Sequence, residues 1–289
     1  MPRKAGSPSV QVKKLLRQSG LRAKKGLGQH FLIDETALKS VVEAAELSPE
    51  DIVIEVGPGL GILTTELAQR AGRVIAVELD TKLASLLKRR LASLSNVNVI
   101  NANILEVSLS ELLGGKSSYK VVANLPYYIT SPILRYFVEA PLRPSLMVVM
   151  VQKEVAEAIA ASPGKMSLLS VSLQVYSQPR IVSYVPSQSF YPAPKVNSAI
   201  VRFDMLPEPA VKVADIDGFF QTVRCGFSTP RKQLRNSLAH GLGVKPTEVT
   251  SLLERANIEA RRRAETLGLQ EWARLHEVLV ASRKNRMLC

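Results

Sequence analysis

The sequence predicts an α/β protein in which a large domain with a parallel sheet precedes a small all-helical domain. From about residue 50, short β-branched runs alternate with helical periods, a pattern typical of a parallel sheet with crossover helices. The alternation stops at MLPEPAV, Met205–Val211, where two prolines fall within three residues. Beyond this break the chain shows only helical patterns. We therefore divide it into residues 1–23, 24–207 and 208–289.

The elements of the large domain follow from the spacing of its apolar residues. The predicted strands are DIVIEVGPG, RVIAVELD, NVNVINANIL, YKVVANLPY, SLMVVMVQ, PRIVSYVP and SAIVRFDM, with the last two as an antiparallel pair that finishes the sheet. The helix SPILRYFVEA is predicted to have Ser131 as its N-cap and Pro132 in its first position. For LLSVSLQVYS, periodicity does not separate helix from strand.

The residues after the proline break are predicted to form helices alone. The segments are IDGFFQTVRCGF, TPRKQLRNSLAHGL, PTEVTSLLERAN and LQEWARLHEVLVAS. Trp272 in the last segment is expected in the core of this domain, although an aromatic platform for a base is the alternative.

Composition excludes several classes of protein. Hydrophobic residues make up 46% and charged residues 22%, as in ordinary globular domains. No apolar run approaches the roughly 20 residues that span a bilayer, and the N-terminus has no secretory pattern, so we expect no membrane partner. Two cysteines, Cys225 and Cys289, fit a reducing cytoplasm. Three histidines without zinc-like spacing predict that no metal is bound.

The charge indicates a polyanionic partner. The net charge is +13 and the pI is near 9.9, which favours binding to nucleic acid. No acidic residue precedes Asp34, whereas eight lysines and arginines do. We expect residues 1–23 to form a basic, flexible arm that is disordered without RNA, because they combine high charge with low apolar content.

A glycine-rich turn and a following acid predict a nucleoside site. EVGPGLG places Gly57, Gly59 and Gly61 between a strand and a helix, where glycine lets a ligand approach the backbone. Glu78, at the end of the next strand, can accept hydrogen bonds from two ribose hydroxyls. Dinucleotides and S-adenosylmethionine are both bound in this way. The G-P-G-L-G spacing differs from the dinucleotide pattern and favours S-adenosylmethionine over a nicotinamide oxidoreductase.

Two asparagines end the next two strands. Asn103 is placed to bond the exocyclic amine of an adenine, although a solvent-facing turn is equally compatible with its position. Asn124-Leu125-Pro126-Tyr127 follows the fourth strand. The Asn124 side-chain oxygen and the Leu125 carbonyl could accept from both N–H bonds of an adenine amine and so localise its lone pair. Tyr127 offers a ring on which a flipped base can stack.

With these motifs in place, the sequence resembles the ribosomal RNA adenine N6-dimethyltransferases. The resemblance covers nearly the whole chain from Lys24 and rests on KKGLGQHFL, EVGPGLGILT, VELD, ANLPYYITSPIL, FYPAPKVNSAIV and PRKQLRNSL. It implies a Rossmann-like, S-adenosylmethionine-dependent methyltransferase domain with a helical RNA-binding domain. It also implies a monomer that dimethylates two adjacent adenines near the 3′ end of 16S rRNA in a pre-30S particle.

The resemblance also implies roles for individual residues. The cofactor would contact His30, Leu32, Gly57, Gly59, Glu78, Asn103 and Asn124. The catalytic motif would be Asn124, Leu125, Pro126 and Tyr127, with Phe190 as the second ring of a sandwich around the target base. RNA would contact Lys24, Lys25, Arg231, Lys232, Arg235, Arg261, Arg262 and Arg263. Asn103 stands where the family usually has Asp, a departure expected to affect cofactor affinity.

Two alternatives remain within the same scaffold. One is a macrolide-resistance type of methyltransferase that acts on 23S rRNA. The other is a catalytically idle factor that binds nucleic acid. The helical domain with PRKQLRNSL favours the 16S enzyme over the first, and intact Glu78 and Asn124–Tyr127 argue against the second.

Overall fold

The structure is a computed structural model that describes residues 8–19, 23–24, 26 and 28–287. Within these residues, seven strands form one sheet in the order β4-β3-β2-β5-β6-β9-β7. The strands are β2 Ile52–Val56, β3 Arg73–Glu78, β4 Val97–Asn101, β5 Lys120–Asn124, β6 Leu146–Gln152, β7 Ser177–Val185 and β9 Ser198–Met205. Two short strands, β1 Phe31–Leu32 and β8 Phe190–Tyr191, pair with each other. The predicted α/β fold with a parallel sheet core is confirmed.

The sheet brings the predicted site residues to one edge. β2, β3, β4, β5 and β6 are parallel, with Glu78 opposite Asn101 and Asn124 opposite Met150 in the register. β9 runs antiparallel to β6 and lies beside β7 at the end of the sheet. Since parallel strands share their carboxyl edge, the residues that end β2, β3 and β5 meet there.

The helices lie where apolar spacing predicts most of them. They are α1 Pro8–Ser19, α2 Glu35–Ala44, α3 Ile62–Ala68, α4 Thr81–Arg90, α5 Leu109–Leu113, α6 Thr130–Glu139, α7 Lys153–Ile159, α8 Leu168–Gln174, α9 Ile216–Gly226, α10 Leu234–Leu242, α11 Pro246–Arg255 and α12 Leu269–Met287. LLSVSLQVYS is thus helical as α8, which starts from a capping box between Ser167 and Ser170. No described helix is long and apolar enough to cross a membrane.

The predicted start of α6 is wrong. The helix begins at Thr130 and has no side-chain cap, because a 3-10 turn, Tyr127–Ile129, leads directly into it. The Thr130 hydroxyl donates to the Pro126 carbonyl at 3.2 Å and ties the turn to the helix. Ser131 is therefore inside the helix rather than ahead of it.

The N-terminal residues also differ from the prediction of a flexible arm. α1 covers Pro8–Ser19, and its Val12 and Leu16 are buried in a cluster with Phe31, Leu60 and Leu83. The helical spacing of Val12 and Leu16 gives the segment an apolar face that its many charges obscure in the sequence. The remainder of the predicted arm, residues 1–7 and 20–22, lies outside the described residues.

The described residues divide into two compact units. One contains residues up to Ala156 together with Gln178–Met205, and the other contains Glu157–Ser177 together with residues from Leu206 onward. The second boundary falls at the proline break, but the sequence did not assign Glu157–Ser177 to the helical unit. The Tyr176 carbonyl accepts from the Leu206 N–H at 2.9 Å, and the Val175 carbonyl accepts from Ala210 at 2.7 Å. Trp272 is fully buried in this unit, as expected.

Candidate active site

A cleft of about 1010 Å³, counting its space open to solvent, lies at the carboxyl edge of the sheet. Its lining contains every residue that the sequence predicts for the cofactor: His30, Leu32, Gly57, Gly59, Glu78, Asn103 and Asn124. Leu125, Pro126 and Tyr127 line it as well. The fold therefore assembles four separate motifs in one place.

The glycine turn after β2 brings backbone close to the floor of the cleft. Gly57 and Gly59 have φ values of 66° and 58°, in the left-handed region that favours glycine. A Cβ on Gly59 would lie 3.0 Å from the Phe31 ring. The Gly59 N–H is free to point at the end of β3, where it donates to Glu78 at 3.1 Å.

Glu78 is a buried carboxylate held by two backbone donors. Its Oε2 accepts from Gly59 and its Oε1 accepts from the Asp80 N–H at 2.8 Å. Burial raises the pKa of Glu78, and the two N–H groups partly offset that shift. Each oxygen keeps a further lone pair, so the geometry supports the predicted acceptor for ribose hydroxyls.

Asp80, next to this carboxylate, engages one of the predicted RNA ligands. Burial works against its ionisation, but Lys24 and the N–H groups of Lys82 and Leu83 outweigh that effect and lower the pKa of Asp80. The Lys24 ammonium lies 2.7 Å from Asp80 Oδ2. Lys24 thus has an ion-pair partner within the protein while its side chain is 53% exposed, and its RNA contact stays a prediction. Lys25 lies outside the described residues.

Asn103 begins a 3-10 turn, Ile104–Glu106, beside the cleft. Its Oδ1 accepts from the Leu105 N–H at 3.2 Å, and its Nδ2 donates to Glu106 at 2.8 Å. An aspartate could accept the same N–H bond but would face the Glu106 carboxylate with like charge. Glu106 therefore explains how an amide is accommodated at this position.

Glu55 was not assigned a role from the sequence, yet it lines the cleft. Glu55 as a residue is 2% exposed, and its Oε2 has no hydrogen-bond partner among the described residues. Burial raises the pKa of Glu55 to about 8. The available signal was an acid inside the apolar run DIVIEV, where burial of a charge needs a reason.

Asn124 ends β5 with its amide fixed in one orientation. Its Nδ2 donates to the His30 carbonyl at 3.0 Å, while its Oδ1 is buried without a partner in the described part of the chain. Leu125 is 1% exposed, and its N–H donates to the Met150 carbonyl at 3.1 Å. The tetrapeptide therefore presents one unmatched acceptor beside the cleft.

Tyr127 lies between two supports. Its hydroxyl and that of Ser198 are 2.6 Å apart, and its ring stacks on the ring of His30 with centroids 5.6 Å apart at 24°. Burial raises the pKa of Tyr127. The neighbouring Tyr128 also lines the cleft and is 51% exposed. The ring predicted to receive a base is thus present, with one face covered by a histidine.

The structure places Phe190 elsewhere than predicted. Its ring is 2% exposed and packs in the apolar core with Leu32, Leu38 and Val185 rather than lining the cleft. The cause is the pairing of β1 with β8, which sets Phe190 opposite Leu32. The assignment of Phe190 to a base sandwich is therefore corrected to a core role.

The predicted RNA ligands of the helical unit differ in how exposed their side chains are. Arg231, Lys232, Arg261 and Arg263 are exposed, and Arg235 is half-buried with its Nε unpartnered among the described residues. The Leu234 N–H donates to the Arg262 carbonyl at 2.7 Å, so the loop at Arg262 packs on the start of α10. The predicted helix TPRKQLRNSLAHGL begins only at Leu234, which leaves Arg231 and Lys232 in the preceding turn.

The structure corrects the assignment of Arg262 to the predicted RNA-binding surface. Its guanidinium makes two bonds to Glu271, at 2.5 Å and 3.0 Å, and two more to Thr266. Glu271, as hydrogen-bond partner, raises the pKa of Arg262 further. A guanidinium with this many internal acceptors holds the loop and is not available to phosphate.

Comparisons with known proteins decide the family. The family model described as ribosomal RNA adenine dimethylase matches residues 20–275. The chain belongs to the ribosomal RNA adenine dimethylase family. The resemblance stated from the motifs is confirmed.

Related proteins align with nearly the whole length of this chain. A ribosomal RNA small subunit methyltransferase A of Dehalococcoides mccartyi is 52% identical over 274 residues, which cover 93% of this chain and 94% of the relative. The crystal structure of the 23S rRNA methyltransferase ErmE is 30% identical, with a TM-score of 0.69, 86% of this chain and 99% of that chain covered. A dimethyladenosine transferase from Plasmodium falciparum, 24% identical with a TM-score of 0.72 over 89% and 98%, shows the same fold.

The cleft of this dimethylase fits S-adenosylmethionine on its own geometry. A Cβ at Gly59 would fill the cradle beside Phe31, and Glu78 presents a buried acceptor to a diol. Asn124 Oδ1, which has no partner in the described part of the molecule, belongs to a residue that also lines the cleft and is not needed for this fit. Across those residues, no group of three or more His, Cys, Asp or Glu side chains could hold a metal ion.

Proposed function

We propose that the protein transfers methyl groups from S-adenosylmethionine to N6 of two adjacent adenines in the 3′-terminal hairpin of 16S rRNA, dimethylating each. We further propose that it acts as a monomer on a pre-30S particle in the cytoplasm. The observation that carries the proposal is the fixed amide of Asn124, with Nδ2 on the His30 carbonyl and Oδ1 unmatched beside the cleft. The 52% identity to a small-subunit enzyme supports the choice of rRNA.

The reaction requires the protein to activate a weak nucleophile, the exocyclic amine of adenine. The lone pair of an exocyclic adenine amine is delocalised into the ring. A hydrogen bond from N6–H to Asn124 Oδ1, and a second to the Leu125 carbonyl, localise that pair on nitrogen. These bonds strengthen as nitrogen becomes tetrahedral, so they lower the barrier more than they stabilise the bound base.

The residues proposed to bind the cofactor all line the cleft. Glu78 accepts from the ribose hydroxyls, Gly57 and Gly59 admit the amino-acid end, Asn103 contacts the adenine, and His30 and Leu32 lie over the methionine end; all of these residues line the cleft. When bound, S-adenosylmethionine supplies an electrophilic methyl group on a sulfonium centre. The chain has then to align N6 with that group, which is a matter of position rather than of acid–base chemistry.

The base and its strand are held by rings and by cations. The face of Tyr127 that His30 leaves open receives the flipped adenine, in place of the sandwich with Phe190 that the sequence predicted. Arg231, Lys232, Arg235, Arg261 and Arg263 of the helical unit contact rRNA phosphates. The +13 charge favours this contact.

The test is methyl transfer with a choice of substrates. Labelled S-adenosylmethionine is incubated with the protein and either undermethylated 30S or 50S subunits, and the labelled nucleosides are identified. We expect N6,N6-dimethyladenosine in 16S rRNA alone. Label in 23S rRNA instead would support the macrolide-resistance type that ErmE represents. Particle binding without any transfer would indicate a nucleic-acid-binding factor.

A further inference from the structure

We infer that His30 is a positioning residue that sets the orientation of both Asn124 and Tyr127, beyond its predicted contact with the cofactor. The inference rests on the proposed methylation of adenine, since it concerns the residues that would act on the base. Its basis is that three separate contacts converge on this one residue: its carbonyl, its ring nitrogen and the face of its ring.

The backbone carbonyl of His30 decides which end of the Asn124 amide faces the cleft. The Asn124 Nδ2 lies 3.0 Å from this oxygen. A carbonyl oxygen can only accept, so a reversed amide would set oxygen against oxygen. The bond to His30 therefore leaves Oδ1, the atom that an adenine amine needs, as the unmatched acceptor.

The imidazole of His30 holds that carbonyl in place and supports Tyr127. Nδ1 lies 2.7 Å from the Pro192 carbonyl, which requires the hydrogen to be on Nδ1. The ring stacks on Tyr127, whose hydroxyl is bonded to Ser198. Tyr127 is thus held at its hydroxyl and through its ring, and it lines the cleft.

The residues after His30 anchor the same segment to the short strand β8 and to the turn before it. Phe31 and Leu32 pair with Tyr191 and Phe190, and the Ile33 N–H donates to the Ser189 carbonyl at 2.8 Å. The Ser189 hydroxyl donates to Asp34 at 2.6 Å. This anchored segment also lines the cofactor cleft. His30 therefore connects the residues proposed to bind the cofactor with Asn124 and Tyr127, which are proposed to bind the base.

Three substitutions separate the two side-chain contacts. His30→Phe keeps a ring for Tyr127 but loses the donor to Pro192, His30→Asn keeps a donor but loses the ring, and His30→Ala loses both. His240→Ala, an exposed histidine of α10, is the matched control. Single-turnover transfer is measured at saturating S-adenosylmethionine, and affinity is measured with S-adenosylhomocysteine.

We expect His30→Ala to slow transfer by about tenfold or more while affinity for S-adenosylhomocysteine changes by less than about threefold. His30→Phe and His30→Asn should each retain part of the rate, and His240→Ala should retain all of it. A second readout is the side-chain amide signal of Asn124 by ¹⁵N NMR, assigned through its loss in Asn124→Asp. In His30→Ala this signal should shift and exchange faster with solvent.

The outcomes are distinguishable from failure of the proposed function. An Asn124 amide signal unchanged in His30→Ala overturns the inference, whether or not the protein methylates rRNA. A fall in cofactor affinity with full recovery of the rate at saturating S-adenosylmethionine makes His30 a cofactor ligand alone and also overturns it. If the amide signal shifts but the unsubstituted protein methylates no rRNA, the proposed function fails and the positioning role stands.

Discussion

At the scale of single residues, two buried carboxyl groups in the cleft differ in their partners. Glu78 accepts from two backbone N–H groups, whereas Oε2 of Glu55 has no partner among the described residues. Burial raises the pKa of both, that of Glu55 to about 8. The negative charge of Glu78 also contributes to the shift of Glu55. Two backbone N–H groups thus oppose the effect of burial at Glu78, whereas burial dominates at Glu55.

Glu78→Ala should weaken cofactor binding and leave particle binding unchanged. Each hydrogen bond to the charged acceptor that is removed costs about 1.5–3 kcal/mol, so affinity for S-adenosylhomocysteine should fall by at least about tenfold. Calorimetry measures this fall, with Glu50→Ala, an exposed glutamate outside the cleft, as the control. Unchanged affinity would remove Glu78 from the cofactor site.

Glu55→Gln should change how stability depends on pH. The folded pKa of Glu55, about 8, lies above its unfolded value of 4.5, so the folded state holds more protons between these values. Stability is therefore lost as pH rises from about 4.5 to 8, by about 5 kcal/mol as an upper limit. The glutamine variant should lose this slope and melt higher at pH 8 than the unsubstituted protein. Parallel melting curves across that pH range would contradict the assignment.

At the scale of elements, α1 supports the wall of the cleft. Val12 packs on Phe31, Leu60 and Leu83, which all line the cofactor site. On the same helix, Val10 is 60% exposed. The two valines form a matched pair, because the same substitution removes core packing at one position and surface atoms at the other.

Val12→Ala should therefore destabilise the protein by about 1–2 kcal/mol relative to Val10→Ala. Both variants gain the same helix propensity, so their difference in urea unfolding reports packing alone. Affinity for S-adenosylhomocysteine should fall with Val12→Ala, because the cleft wall loses its support. Equal stability of the two variants would mean that α1 does not pack on the domain in solution.

The secondary-structure elements also show which features of the fold and the site the sequence alone predicts. The five parallel strands are rich in β-branched residues, and β2, β3 and β5 lead into or end at Gly57, Glu78 and Asn124, so their place and chemistry were predictable from local pattern. α1 was missed because its charges outweighed two buried apolar positions. Phe190 and Arg262 were misassigned because their partners lie outside the motifs that contain them. Leu32 is distant in the chain and meets Phe190 through β1–β8 pairing, and Glu271, nine residues from Arg262, meets it through a salt bridge. Contacts of this kind leave no local periodicity to read.

At the scale of the whole molecule, the net charge of +13 should govern binding to the ribosomal particle. Log affinity should fall linearly with log salt, and replacing Arg231, Lys232, Arg261 and Arg263 with Gln should reduce that slope by about 0.7–0.9 for each phosphate that is no longer neutralised. Filter binding at several salt concentrations measures the slope, and cofactor affinity should not change. A salt-insensitive complex would mean that the charge does not contact phosphate.

In the proposed reaction, the Asn124 amide acts on the target base rather than on the cofactor. The most direct measurement is single-turnover methyl transfer into undermethylated 30S subunits by Asn124→Ala, compared with Asn103→Ala at the other end of the same cleft. With Asn124→Ala, we expect cofactor and particle affinity nearly unchanged and transfer slower by about 10²-fold. Asn103→Ala should instead weaken cofactor binding and recover its rate at saturation. If Asn124→Ala loses affinity for the cofactor and rate in equal proportion, Asn124 is a cofactor ligand and the account is contradicted.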